Sequence, residues 1–149
     1  MKLKFDVQGR TQPDPFIFED EGKFYLYVTA GAGVEAYEAD SPLGEWKFRG
    51  IVASFAGKKD YWAPSVMKHE GKYYIYVSCS KPGMFEHMHV AVSEKPLGPF
   101  ENVTRLYKRF TIDSHVVQTE AGLFLWYAED NINCERIGTR IFIDRLLDP

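Results

Sequence analysis

The sequence repeats one pattern three times, and this repeat constrains the fold more than any other feature. The segments DPFIFEDEGKFYLYV, APSVMKHEGKYYIYV and DSHVVQTEAGLFLWYA start at residues 14, 63 and 113, about 50 residues apart. Each segment reads as a strand, a tight turn in which glycine supplies a positive φ, and an aromatic strand. The third turn reads as one residue longer than the other two.

The repeated unit continues beyond this hairpin. A polar loop leads to a third strand, GVEAYEAD, MHVAVSE or IGTRIFID, and the turns DSPLGEW and EKPLGPF precede a fourth strand in the first two units. No sustained helical spacing of apolar residues is present. Four-stranded meanders with a period of about 40–50 residues are typical of β-propeller blades. We therefore predict an all-β fold, a β-propeller with about three blades near 14–52, 63–107 and 113–149.

The third predicted blade is incomplete. The chain reaches DRLLDP before a fourth strand of that blade, whereas propellers close with about four to eight blades. Residues 1–149 are therefore expected to form one partial propeller domain with open strand edges and apolar blade faces. A fragment, a cleavage product and half of an assembly all stay open as explanations. The expected partner is a second polypeptide or the missing C-terminal blades.

Composition excludes several classes of function. The net charge is -3 and no basic stripe is present, so a nucleic-acid partner is not expected. No apolar run approaches about 18 residues, so no membrane span is expected, and the polar N-terminus lacks a signal core, which indicates a cytoplasmic protein. Cys79 and Cys134 form no metal pattern and read as free thiols, with a single disulfide left open. The aromatic content of 15% is typical of β-rich folds and of carbohydrate-binding surfaces.

The repeat places three residues at equivalent points around the mouth of the propeller axis. These are Asp14, Ala63 and Asp113, each at the start of the first strand of a blade. Since the second repeat has alanine there, the fold itself does not require a carboxylate. Two carboxylates that converge on an aromatic-lined pocket suit glycoside hydrolysis, which needs an acid and a base. The alternative is that each carboxylate caps a strand or a turn.

Five segments together resemble a known enzyme family. They are PDPFIFEDEGKFYLYVT, YWAPSVMKHEGKYYIYVS, SPLGEW, KPLGPF and IDSHVVQTEAGLFLWYAED. In order and spacing they resemble the N-terminal part of the five-bladed propeller glycoside hydrolases of the family-43 type, which include β-xylosidases, α-L-arabinofuranosidases and arabinanases. The resemblance implies an inverting hydrolase acting on arabinose- or xylose-containing oligosaccharides and polysaccharides. Related propeller families, such as sucrose-cleaving enzymes, family-62 arabinofuranosidases and mannoside phosphorylases, share the architecture.

The resemblance also implies roles for the two carboxylates. Asp14 matches the general base, which would activate a water for attack at the anomeric carbon. Asp113 matches the aspartate that orients the general acid and raises its pKa. The general acid would be a glutamate opening a fourth blade, which this chain does not contain. We therefore expect this chain alone to be nearly inactive. The alternative is a non-catalytic carbohydrate-binding propeller assembled from two chains.

Further residues are candidates for substrate binding. Trp62 is expected either to stack on a sugar ring or to pack between blades, and Glu129 is expected to bind sugar hydroxyls rather than to act as the acid. The remaining candidates are Arg10, Gln12, Tyr61 and His115. No cofactor is expected to be required. His87 and His89 alternate along one strand but lack a third ligand, so no metal site is predicted. Some relatives hold calcium on the axis through a histidine, and His115 leaves that open.

Overall fold

The computed structural model describes residues 2–6, 9–131 and 138–149, and none of these residues is helical. The described residues form twelve strands. They are β1 Lys4–Phe5, β2 Phe16–Asp20, β3 Lys23–Val28, β4 Val34–Ala39, β5 Glu45–Ala53, β6 Lys59–His69, β7 Lys72–Ser80, β8 His87–Ser93, β9 Glu101–Arg105, β10 Thr111–Thr119, β11 Gly122–Asn131 and β12 Gly138–Leu146. The predicted all-β fold is confirmed.

The strands form three sheets, which we call the first, second and third blades. The first blade has the order β1-β5-β4-β3-β2, the second runs from β6 to β9, and the third runs from β10 to β12. Consecutive strands within each blade pair antiparallel, as a meander requires. The repeat of about 50 residues therefore corresponds to one blade, with the first strand of each blade on the same side of its sheet.

Strand β1 is the element that the repeat did not predict. It pairs parallel to the outer strand β5, with Phe5 opposite Trp46. The Asp6 carboxylate then accepts a hydrogen bond from the Phe48 backbone N–H at 2.8 Å, which ties the N-terminal segment to the blade. Phe5 packs with Trp46 and Tyr37, both fully buried. The N-terminal segment thus covers apolar side chains on the outer face of the first blade.

The hairpins between the first two strands of each blade share one turn length. Asp20 pairs with Lys23, His69 with Lys72, and Thr119 with Gly122, so each turn has two residues. The expectation of a longer third turn is therefore wrong. In the first two blades a Glu-Gly turn has positive φ at both residues, which suits a tight hairpin. In the third blade the glycine comes one position later and is the first residue of β11.

Two apolar cores join the blades. The core between the first and second blades contains the fully buried side chains of Tyr27, Ile75 and Val77. The core between the second and third blades includes Tyr76 and Leu125, which are at most 1% exposed. Each such side chain contributes about 1.5–3 kcal/mol of burial free energy. Packing across these cores holds the three blades against one another.

The third blade has an apolar outer face. Trp126 and Ile143 pair across strands β11 and β12 and are 44% and 48% exposed, and Ile141 is 75% exposed. Strand β12 has no neighbour on its outer side among the described strands. Among the described residues, the third blade thus has an unpaired edge strand and an apolar exposed face.

Within the described part of the chain there is no helix with the length and apolar character needed to cross a membrane.

Candidate active site

The first strands of the three blades, β2, β6 and β10, are called the inner strands here. The same backbone irregularity occurs within or just before each of them. Asp14, Ala63 and Asp113 have φ values of 53°, 42° and 57°, a left-handed conformation that is uncommon for residues other than glycine. In the second and third blades the strand pairing shifts by one residue around this position. An extra residue of this kind is a β-bulge, which bends a strand and re-aims a side chain. Aspartate tolerates this conformation better than most residues, whereas alanine has no such advantage.

The three residues with positive φ meet at one cleft. Residues 14–16, 63–65 and 113–115 line an open cleft of about 330 Å³ between the starts of the three inner strands. The structure therefore brings together Asp14 and Asp113, the two carboxylates proposed from the sequence, with Ala63 between them in chain order. The cleft has both polar and apolar lining atoms, as a sugar-binding surface requires.

Asp14 is exposed and held by one hydrogen bond. The hydroxyl of Thr29, the residue that follows strand β3, donates to Asp14 Oδ2 at 2.7 Å. No other hydrogen bond reaches this carboxylate within the described chain. One carboxylate oxygen is thus held by the protein, and the other has no hydrogen-bond partner among the described residues. That arrangement suits a group that takes a proton from a water molecule.

Asp113 lies in a less favourable electrostatic environment. Its surface is open to solvent, yet the protein around it displaces enough water to raise its pKa above the usual value. The negative charges of Asp14 and Asp130 raise the pKa of Asp113 further. Asp130 is itself held by Thr139, whose hydroxyl donates to Asp130 Oδ1 at 2.9 Å. The two cleft carboxylates are therefore close enough for the charge of Asp14 to disfavour the charge of Asp113.

Two further candidates lie at or beside the cleft. His115 lines it, with its ring centroid 5.5 Å from that of Phe16. Trp62 precedes Ala63 and is 37% exposed, so part of its indole is open to solvent. Its role as a stacking surface stays a prediction.

Arg10 and Gln12 lie over the first blade instead of at the cleft. Arg10 forms an ion pair with Glu35, and its guanidinium sits 4.5 Å from the ring centroid of Phe48. Gln12 Nε2 donates to the Tyr37 hydroxyl at 2.9 Å. Both side chains therefore bind residues of β4 and β5, which sequence spacing alone does not reveal.

Tyr61 is also placed differently from our expectation. It is fully buried in the core between the first two blades, and its hydroxyl accepts a hydrogen bond from the Phe55 backbone N–H and lies 3.2 Å from the Phe55 carbonyl. In this position it does not line the cleft. Glu129 is likewise only 8% exposed, and its carboxylate lies 2.9 Å from Arg109 Nη1.

Sequence reasoning missed three hydroxyl groups at this site. Thr29 holds Asp14, as described above. Ser65 and Ser114 line the cleft, but their hydroxyl oxygens are buried and have no hydrogen-bond partner among the described residues. Thr29 and Ser78 occupy equivalent positions in the first two repeats, and both carry hydroxyls. This recurring hydroxyl was the sequence signal that could have indicated Thr29.

The histidine pair of strand β8 is occupied by structural contacts. His89 is 2% exposed, with Nε2 at 2.7 Å from Lys58 Nζ and Nδ1 at 2.6 Å from the His87 carbonyl. Burial and the nearby Lys58 charge lower the pKa of His89 to about 4. Within residues 2–6, 9–131 and 138–149, no three His, Cys, Asp or Glu side chains are placed to hold a metal ion. No step below uses a metal.

The sequence and the fold both match known glycosidases. Residues 7–149 match the family described as glycosyl hydrolases family 43. Among curated proteins, the chain is 33% identical over 135 residues to xylosidase/arabinosidase 43A of Humicola insolens, covering 84% of this chain and 40% of that protein. It is 33% identical over 78 residues to the probable arabinan endo-1,5-alpha-L-arabinosidase C of Aspergillus fumigatus, covering 47% of this chain and 24% of that protein.

Solved structures show the same architecture. A thermostable family-43 glycoside hydrolase superposes with a TM-score of 0.79 at 25% identity, over 89% of this chain and 47% of that one. The endo-arabinase of Bacteroides thetaiotaomicron VPI-5482 superposes with a TM-score of 0.76 at 26% identity, over 98% and 54%. The chain thus spans about half the length of these solved relatives, and less than half of the curated relatives named above.

Proposed function

This chain belongs to glycosyl hydrolase family 43, and on that basis we propose that it supplies two of the three catalytic carboxylates of an inverting glycosidase. Asp14 is the general base, and Asp113 orients the general acid and tunes its pKa. The observation that carries this proposal is the shared cleft, where both carboxylates sit at equivalent left-handed positions and the charge of Asp14 raises the pKa of Asp113.

The proposed mechanism is a single displacement. Asp14 removes a proton from a water molecule as that water attacks the anomeric carbon, while a general acid on the opposite side of the sugar protonates the leaving oxygen. Asp113 supplies negative charge near that acid, which favours its protonated form until transfer. Proton transfer of this kind is typically worth about 10²–10⁴-fold in rate.

The general acid is proposed to come from a further sheet outside the described residues. The apolar outer face of the third blade, with Trp126, Ile141 and Ile143 exposed, supports this because such a surface packs against another sheet. Either later blades of the same protein or a second polypeptide would supply this sheet. Native mass spectrometry of the folded 17.2 kDa chain separates a monomer, a homodimer and a complex with a different polypeptide.

The proposed substrates are glycans with arabinosyl or xylosyl residues. The names of the two curated relatives, an arabinan arabinosidase and a xylosidase/arabinosidase, support this class. The exposed indole of Trp62, next to Ala63 of the cleft, would offer a flat apolar surface to a pentose ring.

The test uses substrates that do not need the general acid. The 2,4-dinitrophenyl glycosides of xylose and arabinofuranose have a good leaving group, so the base alone should give measurable dinitrophenol release from this chain. Asp14→Asn should reduce kcat by at least about 100-fold. The first sugar anomer formed, followed by NMR, should be inverted.

Asp60→Asn is the matched control. Asp60 also has a positive φ, 53°, but it lies outside the cleft and pairs with Lys59 at 2.6 Å. Its substitution should leave kcat unchanged. Equal rates for the parent chain and Asp14→Asn would contradict the proposal. Sugar binding that survives Asp14→Asn without any hydrolysis would instead support a carbohydrate-binding propeller.

A further inference from the structure

We infer that Thr29 is the positioning residue for the proposed general base, and that it makes the geometry of Asp14 depend on the second blade. This inference rests on the proposed function of Asp14. It concerns a residue that neither touches the reacting atoms nor lines the cleft. Thr29 acts only through its contacts with Asp14 and with the start of the second blade.

The Thr29 hydroxyl makes two hydrogen bonds of opposite direction. It donates to Asp14 Oδ2 at 2.7 Å, and it accepts from the Ala63 backbone N–H at 2.8 Å. A hydroxyl has one proton to donate. Because the Ala63 N–H occupies an acceptor site of this oxygen, the hydroxyl proton is directed toward the Asp14 carboxylate. The bond therefore fixes one oxygen of Asp14 and leaves the other for the attacking water.

The backbone around Thr29 is held on both sides. The Thr29 N–H donates to the Pro13 carbonyl at 3.1 Å, one residue before Asp14. Ala30 and Tyr61 form a β-bridge between the blades, with the Tyr61 N–H donating to the Ala30 carbonyl at 2.9 Å. Thr29 is thus clamped between the strand that carries the base and the strand that opens the second blade. A side chain in this place has little freedom to reorient.

The equivalent positions in the other blades separate the two roles of Thr29. The residues equivalent to Thr29 are Ser78 in the second blade and Ala128 in the third. Ser78 pairs with Trp62 and Ala128 with Ile112, just as the Thr29 N–H bonds to the Pro13 carbonyl in the first blade. The Ser78 hydroxyl donates to the Thr111 carbonyl at 2.9 Å and so also ties its blade to the next one. Its own blade has Ala63 at the bulge and therefore no carboxylate to hold.

The Thr29 hydroxyl therefore has two roles, a structural one between blades and a positioning one for Asp14. Linking successive blades is a task that Ser78 shares, whereas holding a carboxylate is specific to Thr29. Removing the Thr29 hydroxyl should release Asp14 into several rotamers, and only some of these would place its free oxygen against the attacking water. The expected loss is therefore in kcat, with KM little changed, because substrate contacts are untouched.

The experiment compares Thr29→Val, Thr29→Ser and Ser78→Ala with the parent chain. Valine keeps the branched shape without the hydroxyl, serine restores the hydroxyl, and Ser78→Ala removes an interblade bond that has no carboxylate partner. On the 2,4-dinitrophenyl glycoside, Thr29→Val should lower kcat by about 10- to 100-fold, the range for a lost charge-assisted hydrogen bond. KM should stay within about twofold of the parent value. Thr29→Ser should recover most of kcat, and Ser78→Ala should keep it.

Two structural readouts accompany the kinetics. Hydrogen exchange of the Ala63 amide should accelerate about tenfold or more in Thr29→Val and stay slow in Thr29→Ser. The Asp14 carboxyl ¹³C signal, assigned with Asp14→Asn, should shift in Thr29→Val and not in Ser78→Ala. Both readouts are measurable on the chain whether or not it hydrolyses a glycoside.

The outcomes distinguish the inference from the function on which it rests. Unchanged kcat in Thr29→Val together with faster Ala63 exchange would reduce Thr29 to an interblade tie and overturn the inference. An unshifted Asp14 signal in Thr29→Val would show that the Thr29 hydroxyl does not hold the Asp14 carboxylate, and this would also overturn the inference. If the parent chain shows no hydrolysis that Asp14→Asn abolishes, the proposed function fails, and the positioning role fails with it even where the hydrogen bond is found.

Discussion

The contact between the first two blades at the end opposite the cleft gives a quantitative test of how these blades are held. Asp20, the last residue of β2, accepts hydrogen bonds from Lys68 Nζ at 2.8 and 2.9 Å and from the Tyr73 hydroxyl at 2.6 Å. Both donors belong to the second blade. Burial opposes the charge on Asp20, but the bonds from Lys68 and Tyr73 outweigh this effect and lower the pKa of Asp20. The perturbation is Tyr73→Phe, which removes one donor and keeps the ring.

The expected cost at pH 7 follows from the type of bond that is lost. A hydrogen bond to a charged group contributes about 1.5–3 kcal/mol, and the low end applies because Asp20 keeps its two contacts with Lys68. A loss of about 1.5 kcal/mol corresponds to a fall in Tm of roughly 3–6 °C for a chain of this size. The ring of Tyr73 is 6% exposed and packs edge-on against Phe18 at 6.1 Å, so phenylalanine should keep the same apolar contacts.

The cost should depend on pH in a defined direction. Because the pKa of Asp20 is lower in the folded than in the unfolded state, its contribution is present above the unfolded pKa, near 3.9, and is lost as pH falls through the folded value. The difference between Tyr73→Phe and the parent should therefore shrink as pH falls through the folded pKa of Asp20, which lies below its ordinary value. Urea unfolding followed by tryptophan fluorescence, at a series of pH values from 7 down to about 2, measures this difference.

Tyr76→Phe is the matched control on the same strand. Tyr76 is 1% exposed, and its hydroxyl has no hydrogen-bond partner among the described residues. Its removal should change stability by less than about 0.5 kcal/mol or should stabilise the chain, because a buried unpaired hydroxyl is itself unfavourable. Equal costs for Tyr73→Phe and Tyr76→Phe, or a cost for Tyr73→Phe that stays constant over the whole pH series, would refute the reasoning.

Three further outcomes are expected. Asp113→Asn should raise the Tm at pH 7, because the raised pKa of Asp113 means that its charge is unfavourable in the folded state. The gain in Tm should disappear below about pH 4, where the carboxyl becomes neutral, and a gain that persists at pH 3 would exclude this cause. Trp62→Ala should weaken the binding of a xylo- or arabino-oligosaccharide by about tenfold, equal to about 1.4 kcal/mol in calorimetry, whereas Trp126→Phe on the outer face should not, and similar losses for both would remove the stacking role. In a Cys134→Ser chain, the thiol reagent DTNB should label Cys79 only in urea, because Cys79 is fully buried and burial raises its pKa to about 11; labelling in native buffer would contradict that burial.

The repeat predicted the fold well because its signals are local. Alternation of apolar and polar residues, a Glu-Gly turn and a Pro-Leu-Gly turn each act within a few residues of chain. The error at the third turn has the same origin. Gly122 aligns with Gly22 by type, but pairing of Thr119 with Gly122 moves it out of the turn. Residue type indicated a turn, and the hydrogen-bond register of the two strands decided where it lay.

The candidate site was only partly predictable. Equivalent positions in the repeat indicated that Asp14 and Asp113 face one axis, since blades of equal length bring equivalent residues to equivalent places. Arg10 and Gln12 were candidates for substrate binding. They instead bind Glu35 and Tyr37, because the N-terminal segment crosses the outer face of the first blade. Tyr61 is in the core instead, next to a β-bridge with Ala30 that sequence spacing did not indicate.

The sequence by itself determined the three meanders, their order and the chemical identity of the two cleft carboxylates. These depend on residue type and on spacing along the chain, which a repeat makes visible. Only the tertiary structure decided that Asp14, Ala63 and Asp113 share a left-handed backbone conformation and that the Thr29 hydroxyl joins Asp14 to the backbone of the next blade. The physical reason is that a hydrogen bond depends on the distance and angle between atoms on separate strands. Residues 29 and 63 reach those distances only when two blades have packed together.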